Sequence, residues 1–368
     1  MHTATATPLD TAIDTDVVVI GAGPVGLFQV FQLGLQGLRC HVIDALPHPG
    51  GQCAQLYGDK PIYDIPSIAV CTGHELVQRL SDQVAPFAPQ WHLGQQVALL
   101  VAQPKELGGQ FLVTTSAGDV LRARAVCITA GVGAFMPRPL KVAGVSHLDD
   151  FVGTQLFYRR YGAAELAQLS GKHVVVHGGD APAVAQVLDI AHGAEGVESP
   201  KSLALHHRRD VFDAAPEQLA QLQALRSAGR VQVAVGQITG IEQAEDGRLS
   251  ALQLLAPDES CQRLALDVLL VRLGLLPRMG PLADWGLALE RKQLPVNTAT
   301  FATHTPGIYA VGDIVSYPGK RRLMVCGFHE ATLAAFAIAE HLSGQSVALE
   351  YTSSSTRLQQ RLGVRAAD

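Results

Sequence analysis

The chain has 368 residues, 48% of them hydrophobic and 17% charged, with a formal net charge of −5. These proportions suit a globular α/β chain of two or three domains and exclude intrinsic disorder, while the mild acidic balance lacks the basic excess that nucleic-acid binding needs. No apolar run reaches the roughly 18 residues of a membrane span, and Met1 to Asp10 has no basic segment followed by an apolar core. The expectation is a cytoplasmic protein without signal peptide, nucleic acid or membrane partner.

Asp16 to Ile20 is an apolar, β-branched run that breaks into Gly21-Ala22-Gly23-Pro24-Val25-Gly26, after which Leu27 to Leu38 follows a helical pattern. Strand, tight turn and helix start in that order make a dinucleotide site. Gly21 lets the chain turn, Gly23 lets the backbone approach a pyrophosphate, and Gly26 lets the helix pack on the strand. Phosphates then take the free N–H groups of the helix N-terminus. Cys40 to Ile43 is the next strand and ends at Asp44, where a ribose-binding carboxylate belongs, ~20 residues beyond the glycines. Gly50-Gly51-Gln52 and Tyr57 follow; they suit a loop where backbone meets a flat ligand, and equally an ordinary Pro/Gly loop. Residues 73 to 85 read as an amphipathic helix through Leu76, Val77, Leu80 and Val84. Trp91 to Leu100, Gln110 to Thr115 and Val120 to Ala123 read as short strands, and Arg124 to Gly131 as a further apolar strand.

The Pro-rich stretch from Pro139 to Gly144 reads as a domain crossover. From Lys172 the pattern restarts: His173 to Val176 as strand, His177-Gly178-Gly179-Asp180 as turn, Ala181 to His192 as helix, and Ser202 to His206 as a strand ending in His207-Arg208-Arg209. This second βαβ unit implies a second nucleotide site, with guanidinium groups placed for a 2′-phosphate. Strands at 231–235, 238–242, 249–255 and 268–274 lead to Ile308 to Asp313, a short strand that puts a carboxylate at its C-terminal end. Asp313 fits a ligand site at a strand end, and also a simple turn or N-cap. A helix begins near Gly327 and runs from Glu330 through Ala339. The six cysteines (Cys40, Cys53, Cys71, Cys127, Cys261 and Cys326) include no CxxC pair, so neither a metal knuckle nor a dithiol relay is expected. No Ser/His/Asp or Cys/His set suggests an acid, base or nucleophile among the fourteen histidines and their neighbours.

The order GAGPVG, Asp44, GGQ, Ile128-Thr-Ala-Gly131, a second glycine turn and Val311-Gly312-Asp313 resembles the two-dinucleotide-domain flavoprotein reductases. Leu56-Tyr57, Gly133-Ala134-Phe135-x-Pro137-Arg138, Tyr317-x-Gly319-Lys320, Gly327-Phe328-x-Glu330-Ala331 and a Ser/Thr-rich tail make it similar to the thioredoxin-reductase-like ferredoxin/flavodoxin–NADP(+) reductases. The resemblance implies an α/β fold of two Rossmann-like domains of the three-layer ββα type, the second inserted into the first. It divides the chain into residues 1–145 and 276–368 for FAD, with a C-terminal extension, and 146–275 for NADP(H). It implies FAD held by Gly21, Gly23, Gly26, Asp44 (ribose), Gln52, Tyr57 (stacked on the flavin), Val97, Phe135, Asp313 (ribityl chain) and Ser354, and NADP(H) held by Gly178, Gly179, Arg208 and Arg209. The implied reaction passes hydride from NADPH to the flavin and single electrons to ferredoxin or flavodoxin, with no catalytic residue beyond the flavin. The family is homodimeric, with the tail covering the partner's flavin, which makes Tyr351 or its neighbour Thr352 the candidate stacking residue.

The chain departs from the family's GGGDSA turn with His177-Gly178-Gly179-Asp180-Ala181-Pro182, and from its later Arg with Asp213. A positive φ at His177 would carry a penalty of ~1–2 kcal/mol, and Pro182 removes one N–H from the helix start. A weakened second site is therefore expected, and two other readings stand beside the reductase: a flavin-binding module whose nicotinamide site is impaired, and a flavin reductase or oxidase acting on a small molecule.

Overall fold

The computed structural model describes residues 12–104, 110–193 and 196–364. It divides into two compact units, one formed by Met1–Phe135 with Pro277–Asp368 and the other by Met136–Leu276.

The first unit opens with β1 (Ile13–Ile20), α1 (Pro24–Leu35), β2 (Cys40–Asp44), α2 (Gly51–Gln55) and α3 (Gly73–Val84), followed by β3 (Gln90–Leu93), β4 (Val97–Ala102), β5 (Phe111–Thr115) and β6 (Val120–Ile128). Val17, Val18 and Val19 are all fully buried, because a parallel strand covered on both faces reads as an unbroken apolar run. The sheet order is β3-β2-β1-β6-β5-β4. Helix α1 starts three residues before the expected Leu27, with Pro24 in its first turn, where the missing N–H costs nothing.

Two strand boundaries differ from the reading of the sequence. The run from Trp91 to Leu100 is two strands, because Gly94 turns at φ +70°; β3 then pairs parallel with β2, and β4 antiparallel with β5. Conversely, the two strands expected at Val120–Ala123 and Arg124–Gly131 are the single strand β6. Its first half pairs antiparallel with β5 and its last three residues pair parallel with Ile308–Ala310.

The second unit contains β7 (His173–His177), α4 (Ala181–His192), β8 (Ser202–His207), α5 (Pro216–Ser227), β9 (Gln232–Val235), β10 (Gln237–Gln243), β11 (Leu249–Leu255), β12 (Cys261–Ala265) and β13 (Val268–Val271). Its parallel sheet runs Leu156–Phe157, β13, β7, β8, β9, and β10-β11-β12 form a separate antiparallel sheet. Alternation sorts the side chains into two cores. Val174, Val176, Leu203 and Leu205 pack with Val184, Val187 and Leu222 on the helical side, whereas Val175 and Ala204 pack with Leu252, Leu254 and Leu264 on the other. The result is the three-layer ββα architecture expected. His177 is the last residue of β7 and is absent from the positive-φ residues, so the strain expected there does not arise.

The chain returns to the first unit through β14 (Ile308–Ala310), α6 (Met324–Ser343) and α7 (Thr356–Arg361). Helix α6 is longer at both ends than expected and stops at Gly344, in the left-handed region at φ +70°. Leu358 of α7 is buried in the core that α1, α3 and α6 share with the sheet, and Arg361 donates to the carbonyl of Leu35.

Candidate functional site

In the first unit the chain turns sharply from β1 into α1. Gly21 has φ +114°, and a Cβ there would lie 2.6 Å from the Thr129 carbonyl oxygen. A Cβ on Gly26 would overlap the Gly21 carbonyl, so the helix can approach the turn only without a side chain, whereas a Cβ on Gly23 would meet nothing within 4 Å. The start of α1 is therefore open on the side of Gly23. Thr129 secures the turn by donating its hydroxyl to the Gly21 carbonyl at 2.6 Å.

Asp44 ties the turn to the end of β2. Its Oδ2 accepts from Ala22 N–H at 2.6 Å and its Oδ1 from Leu46 N–H at 2.8 Å. Burial raises the Asp44 pKa, and these two N–H groups act in the opposite direction. Each carboxylate oxygen keeps a second lone pair for a ribose hydroxyl. Beside it, Gln95 donates its N–H to the Asp44 carbonyl at 3.0 Å, and its side-chain Oε1 is buried without a partner among the described residues. The Gly50-Gly51 turn folds over the first: Gly50 N–H donates to Ala22 O at 2.8 Å, and a Cβ on Gly51 would lie 3.0 Å from Gly23 Cα. Gln52 lies beside Gly131, whose Cβ would be 3.5 Å from its Nε2. A glycine cradle at a helix N-terminus, flanked by a bound carboxylate and an unpartnered amide oxygen, fits a dinucleotide such as FAD.

The strand end at Val311-Gly312-Asp313 is held by a charge that the sequence marked only through its family pattern. Glu330, fully buried, accepts from Gly312 N–H at 2.7 Å, the Tyr317 hydroxyl at 2.7 Å and Lys320 Nζ at 2.5 Å. A Cβ on Gly327 would strike Val25, and one on Gly312 would lie 3.5 Å from it, so Asp313 follows a turn packed on the first turn of α1. Burial raises the Asp313 pKa, with Lys320 and Arg322 opposing the shift. The Gln293 amide donates to the Asp313 carbonyl at 3.3 Å and to the Val315 carbonyl at 2.9 Å; nothing in the local sequence pattern signals that role.

Three other candidates take no part in these contacts. Val97 is buried in the sheet core, leaving its backbone as the part able to meet a ligand. Tyr57 is 43% exposed, with Lys60 Nζ 5.3 Å from its ring centroid. Ser354 lies in a turn, donating its N–H to Tyr351 O at 3.1 Å, and Tyr351 itself is exposed. The side chain of Phe135 lies outside the described residues.

In the second unit a Cβ on Gly178 would overlap the Arg272 carbonyl, and one on Gly179 would lie 2.5 Å from His207 Nε2. Asp180 caps α4 by accepting from Ala183 N–H at 3.3 Å. Asp213 N–H donates to Gly179 O at 2.8 Å, so the departure at Asp213 latches the loop after β8 onto the glycine turn through backbone alone. Arg208 and Arg209 are exposed at the end of β8 and form no ion pair among the described residues, whereas the neighbouring Asp210 is engaged by Arg226 at 2.8 Å. Two guanidinium groups beside a helix N-terminus suit a phosphorylated ribose.

Two ββα units, each opening a helix from a glycine turn, one with an acid and the other with paired arginines at the end of its second long strand, define a two-dinucleotide oxidoreductase. The family model for pyridine nucleotide-disulphide oxidoreductases matches residues 15–334. A ferredoxin--NADP reductase of Acidovorax sp. (strain JS42) is 60% identical over 367 residues, covering 100% of both chains. That of Verminephrobacter eiseniae is 55% identical, covering 96% of this chain and 98% of its own. Among solved structures, T. acidophilum thioredoxin reductase shares the fold at a TM-score of 0.53 and 20% identity, over 90% of this chain and 99% of its own. The chain belongs to the pyridine nucleotide-disulphide oxidoreductase family, in its ferredoxin–NADP reductase branch. FAD and NADP(H) are the cofactors of such enzymes.

Proposed function

We propose that the chain is a ferredoxin–NADP(+) reductase that binds FAD in the first unit and NADP(H) in the second. The observation that carries this reading is full-length identity of 60% to a ferredoxin--NADP reductase. When bound, FAD supplies the chemistry, accepting a hydride from NADPH and releasing electrons singly. The chain's own residues bind and orient. Gly21, Gly23, Gly26 and the start of α1 hold the pyrophosphate, Asp44 the ribose and Asp313 the ribityl chain, while Gln52, Tyr57, Phe135, Ser354 and the Val97 backbone complete the flavin site. Gly178, Gly179, Arg208 and Arg209 hold the second nucleotide and select its 2′-phosphate.

The second unit has a single cysteine, the exposed Cys261, so no dithiol there receives the electrons and the outlet is an acceptor protein, ferredoxin or flavodoxin. The working form is a cytoplasmic homodimer, a reading supported by the family resemblance and by cysteines that are all free. The test is anaerobic mixing of the purified protein with NADPH, then with oxidised ferredoxin or flavodoxin. Flavin bleaching within seconds followed by acceptor reduction is expected. A flavin that stays yellow points to a binding module, and bleaching followed by transfer only to small molecules or O₂ points to a flavin reductase.

A further inference from the structure

The residue that replaces a turn glycine in the second unit has a partner in register. His177 ends β7 beside His206 of β8, and both are buried, at 7% and 0% exposure. Their Nδ1 atoms lie 2.7 Å apart, and His206 Nε2 lies 3.1 Å from the Gly236 carbonyl oxygen. A carbonyl only accepts, so His206 carries its proton on Nε2 and its Nδ1 is bare. His177 must then donate from Nδ1, which leaves its own Nε2 bare. The ends of three adjacent parallel strands are thus joined in one direction: His177 to His206 to the carbonyl just past β9.

These strand ends carry the nucleotide contacts. Gly178 and Gly179 follow His177 directly, and His207, Arg208 and Arg209 follow His206. His207 Nδ1 lies 3.0 Å from Arg209 O and 3.1 Å from Val211 O, so it donates there and turns its Nε2 toward Gly179. Burial, and then the neighbouring cationic and imidazole groups, push His177 to about 3 and His206 to about 4, keeping both rings neutral.

We propose that His177 and His206 are positioning residues whose tautomer-locked pair fixes the glycine turn relative to Arg208 and Arg209, and so sets affinity for NADP(H). The inference rests on the reading of the second unit as the NADP(H) site. It explains why a histidine stands where a glycine is usual: with His206 buried alongside, glycine at 177 would leave a buried imidazole nitrogen unpaired.

The test is NADP+ binding to the FAD holoenzyme by calorimetry, for wild type, His177→Gly, His177→Asn, His206→Leu and the double variant His177→Gly/His206→Leu. Each of His177→Gly and His206→Leu should raise Kd about tenfold, and the double variant should bind no worse than His206→Leu, since either single change already breaks the His177–His206 link. His177→Asn, whose amide N–H can reach His206 Nδ1, should stay within about threefold of wild type. FAD content, set in the other unit, should be unchanged throughout. Should His206→Leu fail to fold, the contrast between His177→Gly and His177→Asn decides. Wild-type affinity in His177→Gly, equal loss in His177→Asn, or additive losses in the double variant would overturn the relay. A wild-type holoenzyme that binds no NADP+ overturns the site reading itself.

Discussion

Gly312 donates its N–H at 2.7 Å to Glu330, a carboxylate with no exposed surface, which also holds Lys320 at 2.5 Å. The strand end that precedes Asp313 is therefore fixed by a buried ion pair, and breaking one half of such a pair is costlier than removing both halves. Glu330→Ala should destabilise the first unit by about 3–5 kcal/mol and deplete bound FAD. Glu330→Gln, which keeps an acceptor for Gly312, should fall between. Urea unfolding followed by flavin absorbance measures both; an alanine variant within ~1 kcal/mol of wild type with full flavin would refute the role.

The two glycines that bracket the start of α1 should fail differently. Gly23 has open space where a Cβ would go and an ordinary φ of −67°. Gly23→Ala should leave apoprotein stability within about 0.5 kcal/mol yet reduce FAD content several-fold, because the methyl would enter the position proposed for the pyrophosphate. Gly26→Ala, which would strike the Gly21 carbonyl, should lose both. Comparing apoprotein melting with flavin stoichiometry separates the cases; a fully loaded Gly23→Ala enzyme would count against the cradle.

Arg208 and Arg209 should determine coenzyme choice. Charge-assisted hydrogen bonds are worth ~1.5–3 kcal/mol, so Arg208→Ala should lower kcat/KM for NADPH roughly 10- to 100-fold and that for NADH little. Steady-state diaphorase assays with both coenzymes measure the ratio, and parallel losses would show that the arginine does not read the 2′-phosphate.

The imidazole pair predicts an acid-sensitive second unit. Both rings are neutral in the folded chain down to about pH 4, while unfolded histidines protonate near 6.5. The unfolded state then binds more protons, so stability should fall as pH drops from about 6.5 toward 3 and change no further from this source below it. Urea midpoints across that range should show the slope in wild type and a flatter profile in His177→Gly/His206→Leu. Parallel profiles would exclude the pair as its origin.

The tail divides into an anchor and an exposed turn. Leu358→Ala removes a side chain that is 5% exposed and should cost about 2–4 kcal/mol, so removing residues 350–368 would perturb stability along with any role at the flavin. Tyr351→Ala is the cleaner test, because the ring is 66% exposed. It should leave melting unchanged while raising the oxygen reactivity of the reduced enzyme, on the proposal that the ring covers a flavin in a homodimer. Unaltered oxygen kinetics would argue against that shielding.

The amino-acid sequence by itself determined the parts that depend on local backbone chemistry. The run Val17 to Ile20, the glycine turn at Gly21, Gly23 and Gly26 and the repeat of that pattern from His173 are legible as an apolar run breaking into glycines, and Asp44 and the arginines at 208 and 209 as charges at a strand end. Tertiary structure decided whatever depends on which strands become neighbours. Gly94 looked like a residue inside one strand until its two flanks found different partners, and β6 looked like two strands because its outer edge is shared by β5 and β14. Glu330 reaches Gly312 and His177 reaches His206 only because helix packing and strand register bring distant segments within hydrogen-bond range. No periodicity along the chain encodes those distances, since a buried polar group is satisfied by what folding sets beside it.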